Sequence, residues 1–221
     1  MIPETSRMGR RAFMDRVLAL GAAVGLGAGV RTAAAQPVHA AASPPDEAWL
    51  TRLTGRHKQL FDSPGVNPRM FANVRNFLNT YHDSYGLTDR DVSALVVVYA
   101  RAVPLVFGDA AWEVLELGKR LGIKDAAGTP VKRNPFRAGS PEGVPAEMSI
   151  ETLKSRGVVF VLCNNSFNHF ISDLSSEGLG TAAELRERLL GWKLPDVPLV
   201  PAAVLAINRA QEAGLTYMFT G

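Results

Sequence analysis

The single cysteine of this 221-residue chain, Cys163, is the side chain best suited to covalent chemistry. It ends the apolar run of residues 158–162, and Asn164 and Asn165 follow it directly. A short apolar run rich in β-branched residues, preceded by Gly157, predicts a buried parallel strand. Because open α/β sheets bind ligands at the carboxyl ends of their strands, we expect the thiol and the two amides at that edge.

The sequence leaves several roles open for Cys163. A thiol that faces the start of a helix gains thiolate character from the helix dipole and from unpaired N–H groups, and it could then attack another sulfur atom. Alternatively, it fills space in the core, because free cysteine is among the most buried residue types. Pairing with a cysteine of another chain, and a redox or metal sensor, are further alternatives.

Four other side chains are predicted to lie near this thiol. Asp62 and Arg101 follow the first two predicted strands, and Arg101 could stabilise a thiolate or an anionic sulfur ligand. Each could instead belong to a surface ion pair. Asn164 and Asn165 could orient a ligand, or they could cap the following helix, as asparagine often does.

Other site chemistries lack their sequence signatures. His57, His82 and His169 do not have the spacing of metal ligands, and no second cysteine is present, so we expect no metal site. The turns after the first two strands contain no glycine-rich phosphate loop, so we expect no nucleotide cofactor. Ser166 lacks the context of a nucleophile elbow.

Hydrophobic periodicity predicts the elements that position these residues. Strands are expected at residues 57–62, 92–99, 158–163, 195–200 and 215–219, with helices between them. This alternation predicts an α/β fold for residues 56–221, a three-layer sandwich with a five-stranded, mostly parallel sheet. Residues 123–147 lose periodicity and contain many Gly and Pro residues, so they form an irregular insertion, functional or interfacial.

The net charge of +3 does not indicate nucleic-acid binding. This charge comes from residues 1–40, which contain five arginines and only two acidic residues, Glu4 and Asp15. The rest of the chain contains equal numbers of basic and acidic residues. A neutral domain lacks the basic surface that phosphate backbones attract, so we expect no nucleic-acid partner.

Residues 1–40 have the pattern of a twin-arginine signal peptide. The pair Arg10-Arg11 precedes a weakly apolar, Gly- and Ala-rich run over residues 17–30, and small residues near 33–35 and 38–40 offer cleavage sites. This run is shorter than the roughly 20 residues of a spanning helix, so no membrane association is expected after cleavage. We therefore expect export to the periplasm, with a linker at 41–55. A cytoplasmic protein with an Ala-rich tail, or an uncleaved anchor, is the alternative.

Three segments together resemble the DsrE/DsrF-like family. They are residues 152–165 (TLKSRGVVFVLCNN), residues 197–204 (VPLVPAAV) and residues 208–217 (NRAQEAGLTY). The resemblance implies a compact α/β sandwich that is often oligomeric. In some members a cysteine placed after a strand carries sulfur as a persulfide, and Cys163 corresponds to it. The export signal and the insertion at 123–147 depart from the cytoplasmic sulfur-relay members.

The sequence therefore supports two functional hypotheses. In the first, a periplasmic DsrE-like protein carries sulfur on Cys163 between a donor and an acceptor protein. In the second, a non-catalytic binding or assembly module forms homo-oligomers and the cysteine is structural. Whether the protein is an enzyme stays open at this point.

Overall fold

The computed structural model describes residues 46–221, and the predicted signal peptide lies outside them. The strands are β1 (His57–Ser63), β2 (Val92–Val98), β3 (Val159–Cys163), β4 (Leu199–Val200) and β5 (Thr216–Phe219). The α-helices are α1 (Ala48–Thr51), α2 (Pro68–Tyr85), α3 (Asp109–Val114), α4 (Leu117–Leu121), α5 (Ile150–Ser155), α6 (Asn164–Ser176), α7 (Ala182–Trp192) and α8 (Ala203–Glu212). Two 3-10 helices occupy Ala100–Val106 and Ala146–Met148.

The five strands form one sheet in the order β4-β3-β2-β1-β5, and every neighbouring pair is parallel. The predicted sheet was mostly parallel; in residues 46–221 it is entirely so. All carboxyl ends of the strands therefore meet at one edge, which is where the candidate side chains were expected.

Helices cover both faces of the sheet, which confirms the three-layer α/β sandwich. Successive strand residues point to opposite faces, so β2 and β3 are buried on both sides. One core lies between the sheet and helices α1 and α8; we call this side of the sheet the α8 face. The other, larger core packs against the remaining helices.

Helix α2 begins and ends at residue types that favour helix ends. Asn67 Oδ1 accepts a hydrogen bond from the N–H of Arg69 (3.0 Å), and Pro68 takes the first helical position. Gly86 closes the helix with φ +66°, a left-handed conformation that favours glycine. Thr181 and Glu184 form a capping box at the start of α7.

Three predicted boundaries need correction. The strand predicted at 195–200 is much shorter, because only Leu199 and Val200 pair with β3. The hydrophobic spacing of residues 111–121 predicts a single helix between Asp109 and Gly122, but the structure has two, because Glu116 adopts φ +49° between α3 and α4. The linker predicted at 41–55 overlaps the folded domain. Trp49 and Leu53 are buried against the α8 face, where Glu47 pairs with Arg209 at 2.8 Å.

The insertion at 123–147 packs onto the larger core. Asn134 is fully buried, and its Nδ2 donates to the carbonyls of Leu105 and Phe107, both at 2.8 Å. Its Oδ1 accepts from the N–H of Phe136 (2.9 Å). This buried amide fixes the irregular segment to the backbone that leads into α3, so the segment is a structural part of the domain.

No helix within residues 46–221 combines the length and the apolar character needed to cross a bilayer.

Candidate functional site

Cys163 lies where β3 continues directly into α6, with no loop between them. Its Sγ accepts hydrogen bonds from the backbone N–H of Ser166 (3.4 Å) and from that of Ala203 (3.2 Å). The side chain is only 3% exposed. The cap of α6 is thus the cysteine itself, and neither Asn164 nor Asn165 caps this helix.

Two helix N-termini converge on this sulfur atom. The first N–H groups of a helix have no partner within the helix and carry a partial positive charge. Ser166 belongs to the first turn of α6, and Ala203 is the first residue of α8, whose N-cap provides no side-chain acceptor. Reactive cysteines are often found at helix N-termini, where backbone N–H groups donate to the sulfur atom in this way.

Asp62, near the end of β1, is a buried carboxylate with an incomplete set of partners. It is 4% exposed, and its Oδ2 accepts a short hydrogen bond from the hydroxyl of Tyr217 on β5. Its Oδ1 is buried and has no hydrogen-bond partner among the described residues. Buried polar atoms are nearly always paired, so an unpaired carboxylate oxygen marks a candidate functional position.

Tyr99 connects Asp62 with Cys163. Val98 pairs with Leu162 in the sheet, so Tyr99 and Cys163 are the next residues at two neighbouring strand ends. Burial raises the pKa of Tyr99 from 10.0 to about 12, and the Asp62 carboxylate adds to this shift, with smaller contributions from Tyr217 and Cys163. The hydrogen bond to Asp62 also raises the pKa of Tyr217, together with burial.

These four side chains, Asp62, Tyr99, Cys163 and Tyr217, define what we call the Cys163 site. They share the α8 face at the carboxyl edge of the sheet, as expected for a ligand site in an open α/β sheet. Both tyrosines keep their protons at neutral pH, so they are hydrogen-bond donors. The site combines a sulfur atom held by two N–H groups with a carboxylate and two phenol donors.

The structure separates the remaining predicted residues from the sulfur. Arg101 lies in the first 3-10 helix, forms no hydrogen bond or ion pair within residues 46–221, and lines a different cavity. Asn164 Oδ1 accepts from Arg186 on α7 (3.0 Å), a contact that joins two helices. Asn165 is exposed. The expected contact of Arg101 with the sulfur is therefore replaced by the two backbone N–H groups.

Sequence reasoning missed both tyrosines of the site. Tyr99 directly follows β2, next to Cys163 at the end of β3. This position after a strand was the sequence signal that could have identified Tyr99. Tyr217 reaches Asp62 because β5 lies beside β1, where Leu60 pairs with Tyr217. Strand order of this kind cannot be read from periodicity.

No group of three or more His, Cys, Asp or Glu side chains within residues 46–221 is arranged to hold a metal ion. The histidines considered in the sequence lie apart from the Cys163 site. His57 stacks on Tyr81, and His82 lies beside Asp83 on α2. His169 lines the same cavity as Arg101.

Of three comparisons with known proteins, only the one with solved structures finds similarity. No family model matches the sequence, and no curated protein matches it. A solved structure of a protein of unknown function from Methanobacterium thermoautotrophicum is similar at 18% sequence identity and a TM-score of 0.40. The match covers 74% of this chain and 99% of that chain.

Proposed function

We propose that this protein is a DsrE-like sulfur carrier in which Cys163 holds sulfur as a persulfide. The observation that supports the proposal most is the pair of N–H groups at Sγ, from Ser166 and Ala203. Nucleophilic attack on sulfur is carried out by the thiolate, and donors at helix N-termini stabilise that form. A carrier of this kind needs one cysteine and no resolving partner.

The proposed reaction is an exchange between sulfur atoms that needs no external oxidant. The Cys163 thiolate attacks the outer sulfur of a donor persulfide, R–S–SH. The donor S–S bond breaks, R–S⁻ leaves, and Cys163 becomes a persulfide that retains the donor's proton. An acceptor thiolate then attacks the outer sulfur, a new S–S bond forms on the acceptor, and the Cys163 thiolate leaves.

The other members of the site would hold the outer sulfur. Tyr99 stays protonated at neutral pH because its pKa is raised to about 12, so its hydroxyl can donate a hydrogen bond to the outer sulfur of the persulfide. The buried carboxylate of Asp62 orients the hydroxyl of Tyr217 at the same edge. Loading requires a local opening, because Cys163 is 3% exposed in the closed fold.

The burial of Cys163 favours the second candidate, a non-catalytic binding or assembly module. In that role Sγ caps α6 and α8, and its two hydrogen bonds are structural. Strand β5 lies at an edge of the sheet, with Phe219 59% exposed beside the exposed Met218 and Tyr217. An open apolar edge of this kind suits a second copy of the chain, so we propose a homo-oligomer under either candidate.

The proposed location is the periplasm, and the support for it is the twin-arginine pattern at Arg10 and Arg11. A sulfur donor and acceptor would then have to act in the same compartment. Replacing both arginines by lysine should hold the protein in the cytoplasm, whereas Arg7→Lys, outside the pair, should leave export unchanged. Normal export of the double variant would contradict this location.

Intact-mass measurement of the folded protein after incubation with polysulfide tests the carrier role. We expect an adduct with the mass of one sulfur atom, removed by a thiol reductant and absent in Cys163→Ser. Serine is a suitable comparison because its hydroxyl oxygen can accept the same two N–H groups, so the fold should be retained. An unmodified wild-type protein would refute the carrier and leave the binding module.

A further inference from the structure

We infer that a second site, between the first 3-10 helix and α6, binds a small zwitterion with an apolar body, of the amino-acid type. A cavity of about 580 Å³ lies there, within the size range of small-molecule sites. Ser166, whose backbone N–H donates to Cys163 Sγ, also lines this cavity, but the charged and apolar side chains used below lie outside the Cys163 site.

The cavity contains one positive and one negative side chain that do not pair with each other. Arg101 and Asp173 both line it, and within residues 46–221 neither side chain forms a hydrogen bond or an ion pair. Arg120, the other charged residue of the lining, is already balanced by Glu177 at 2.6 Å. The charges of the lining that have no partner within residues 46–221 are therefore one guanidinium and one carboxylate, both on exposed residues.

This charge pattern selects the class of ligand. A guanidinium binds a carboxylate through two parallel hydrogen bonds, and an aspartate binds an ammonium group. A simple anion would leave Asp173 facing it, and a simple cation would leave Arg101 facing it. A molecule that carries both groups satisfies both side chains, so a zwitterion is the complementary ligand.

The apolar residues of the lining would contact the apolar body of the ligand. The cavity is also lined by three apolar residues that are buried or half-buried, Pro104, Leu121 and Phe170. Phe170 is held in place by stacking on Phe107, at 6.1 Å between ring centroids. A pocket with an apolar wall and a few convergent polar groups is the usual form of a small-molecule site.

The test uses leucine, N-acetylleucine and leucinamide with the full chain, followed by the NMR shifts of the His169 and Phe170 amides. Leucine should give saturable shifts, and both analogues should bind more weakly. Arg101→Gln should weaken leucine and N-acetylleucine about tenfold but leave leucinamide unchanged, since a tenfold change is about 1.4 kcal/mol, the scale of one charged hydrogen bond. Asp173→Asn should weaken leucine and leucinamide and leave N-acetylleucine unchanged.

The matched control is Arg90→Gln, which removes an exposed arginine outside the cavity and should leave all three affinities unchanged. Three results would overturn the inference. They are the absence of saturable shifts with leucine, N-acetylleucine binding as tightly as leucine, and an equal loss in Arg90→Gln and Arg101→Gln. Leucine binding should persist in Cys163→Ser, so the outcome is independent of the carrier proposal.

Discussion

At the scale of single residues, Asp62 is the buried side chain of the Cys163 site whose hydrogen bonding is expected to affect stability most. Its two oxygens have different surroundings. Oδ2 accepts a hydrogen bond from the hydroxyl of Tyr217, whereas Oδ1 has no hydrogen-bond partner among the described residues. A buried carboxyl group with an incomplete set of donors depends strongly on each donor that it has, since an unsatisfied polar group loses its solvation without compensation. The hydroxyl of Tyr217 is therefore expected to matter for stability although its ring is half exposed.

Tyr217→Phe should lower the free energy of unfolding by about 1–3 kcal/mol, the usual cost of leaving a buried acceptor without its donor. Urea denaturation at neutral pH measures this loss. Tyr85→Phe is the matched control, because Tyr85 is 70% exposed and its hydroxyl has no hydrogen bond within residues 46–221. Equal stability of the two variants would mean that the Asp62–Tyr217 contact contributes nothing.

Tyr99 predicts how stability changes at alkaline pH. Its pKa is about 12 in the folded protein against an ordinary 10.0, so the unfolded chain releases this proton first. The stabilisation is fully present below pH 10 and is lost as the pH rises toward 12. Urea unfolding at several pH values across this window should therefore show a shallower loss in Tyr99→Phe than in wild type. Parallel losses in the two proteins would contradict the shift.

At the scale of elements, the sequence predicted the strands and most helices because their signals are local. The run before Cys163 is continuously apolar. Helix α2 begins after Asn67 with Pro68, and it ends at Gly86. The break at Glu116 was not predicted, because hydrophobic spacing continues through it while the backbone takes a positive φ.

The same limit applies to the candidate site. Asp62 and Cys163 were predicted together because parallel strands end at one edge. The role of Tyr217 could not be predicted, because its contact with Asp62 requires β5 to pair with β1. That pairing joins segments far apart in the sequence and depends on the tertiary fold. Arg101 was expected at the sulfur, but the backbone after β2 turns into a 3-10 helix that carries its side chain to another cavity.

The insertion at 123–147 should behave as part of the core rather than as a loose loop. Asn134→Ala removes a buried amide and leaves the carbonyls of Leu105 and Phe107 without a donor. The expected loss in free energy of unfolding is about 2–3 kcal/mol. Lys132→Ala, an exposed change in the same segment, should cost less than about 0.5 kcal/mol. A loss in Asn134→Ala as small as that control would show that the segment is not anchored there.

At the scale of the whole molecule, the open edge at β5 predicts self-association. Exposed apolar residues on an edge strand are a ready surface for pairing with another chain. Light scattering after size exclusion should report an oligomer for wild type and a smaller species for Phe219→Lys. Tyr85→Lys, which charges an exposed aromatic position on α2, should leave the mass unchanged. A monomeric wild type, or an oligomer that survives Phe219→Lys, would contradict the role of this edge.

The central claim is that the Cys163 thiol reacts in the folded protein, although it is 3% exposed. Its most direct test is the rate of alkylation by iodoacetamide in water and in low urea, compared with the rate of global unfolding. A carrier predicts labelling by local opening, much faster than global unfolding and nearly independent of low urea concentrations. Labelling that occurs only at the global unfolding rate, and rises with urea in step with it, would show that Cys163 is a structural cap.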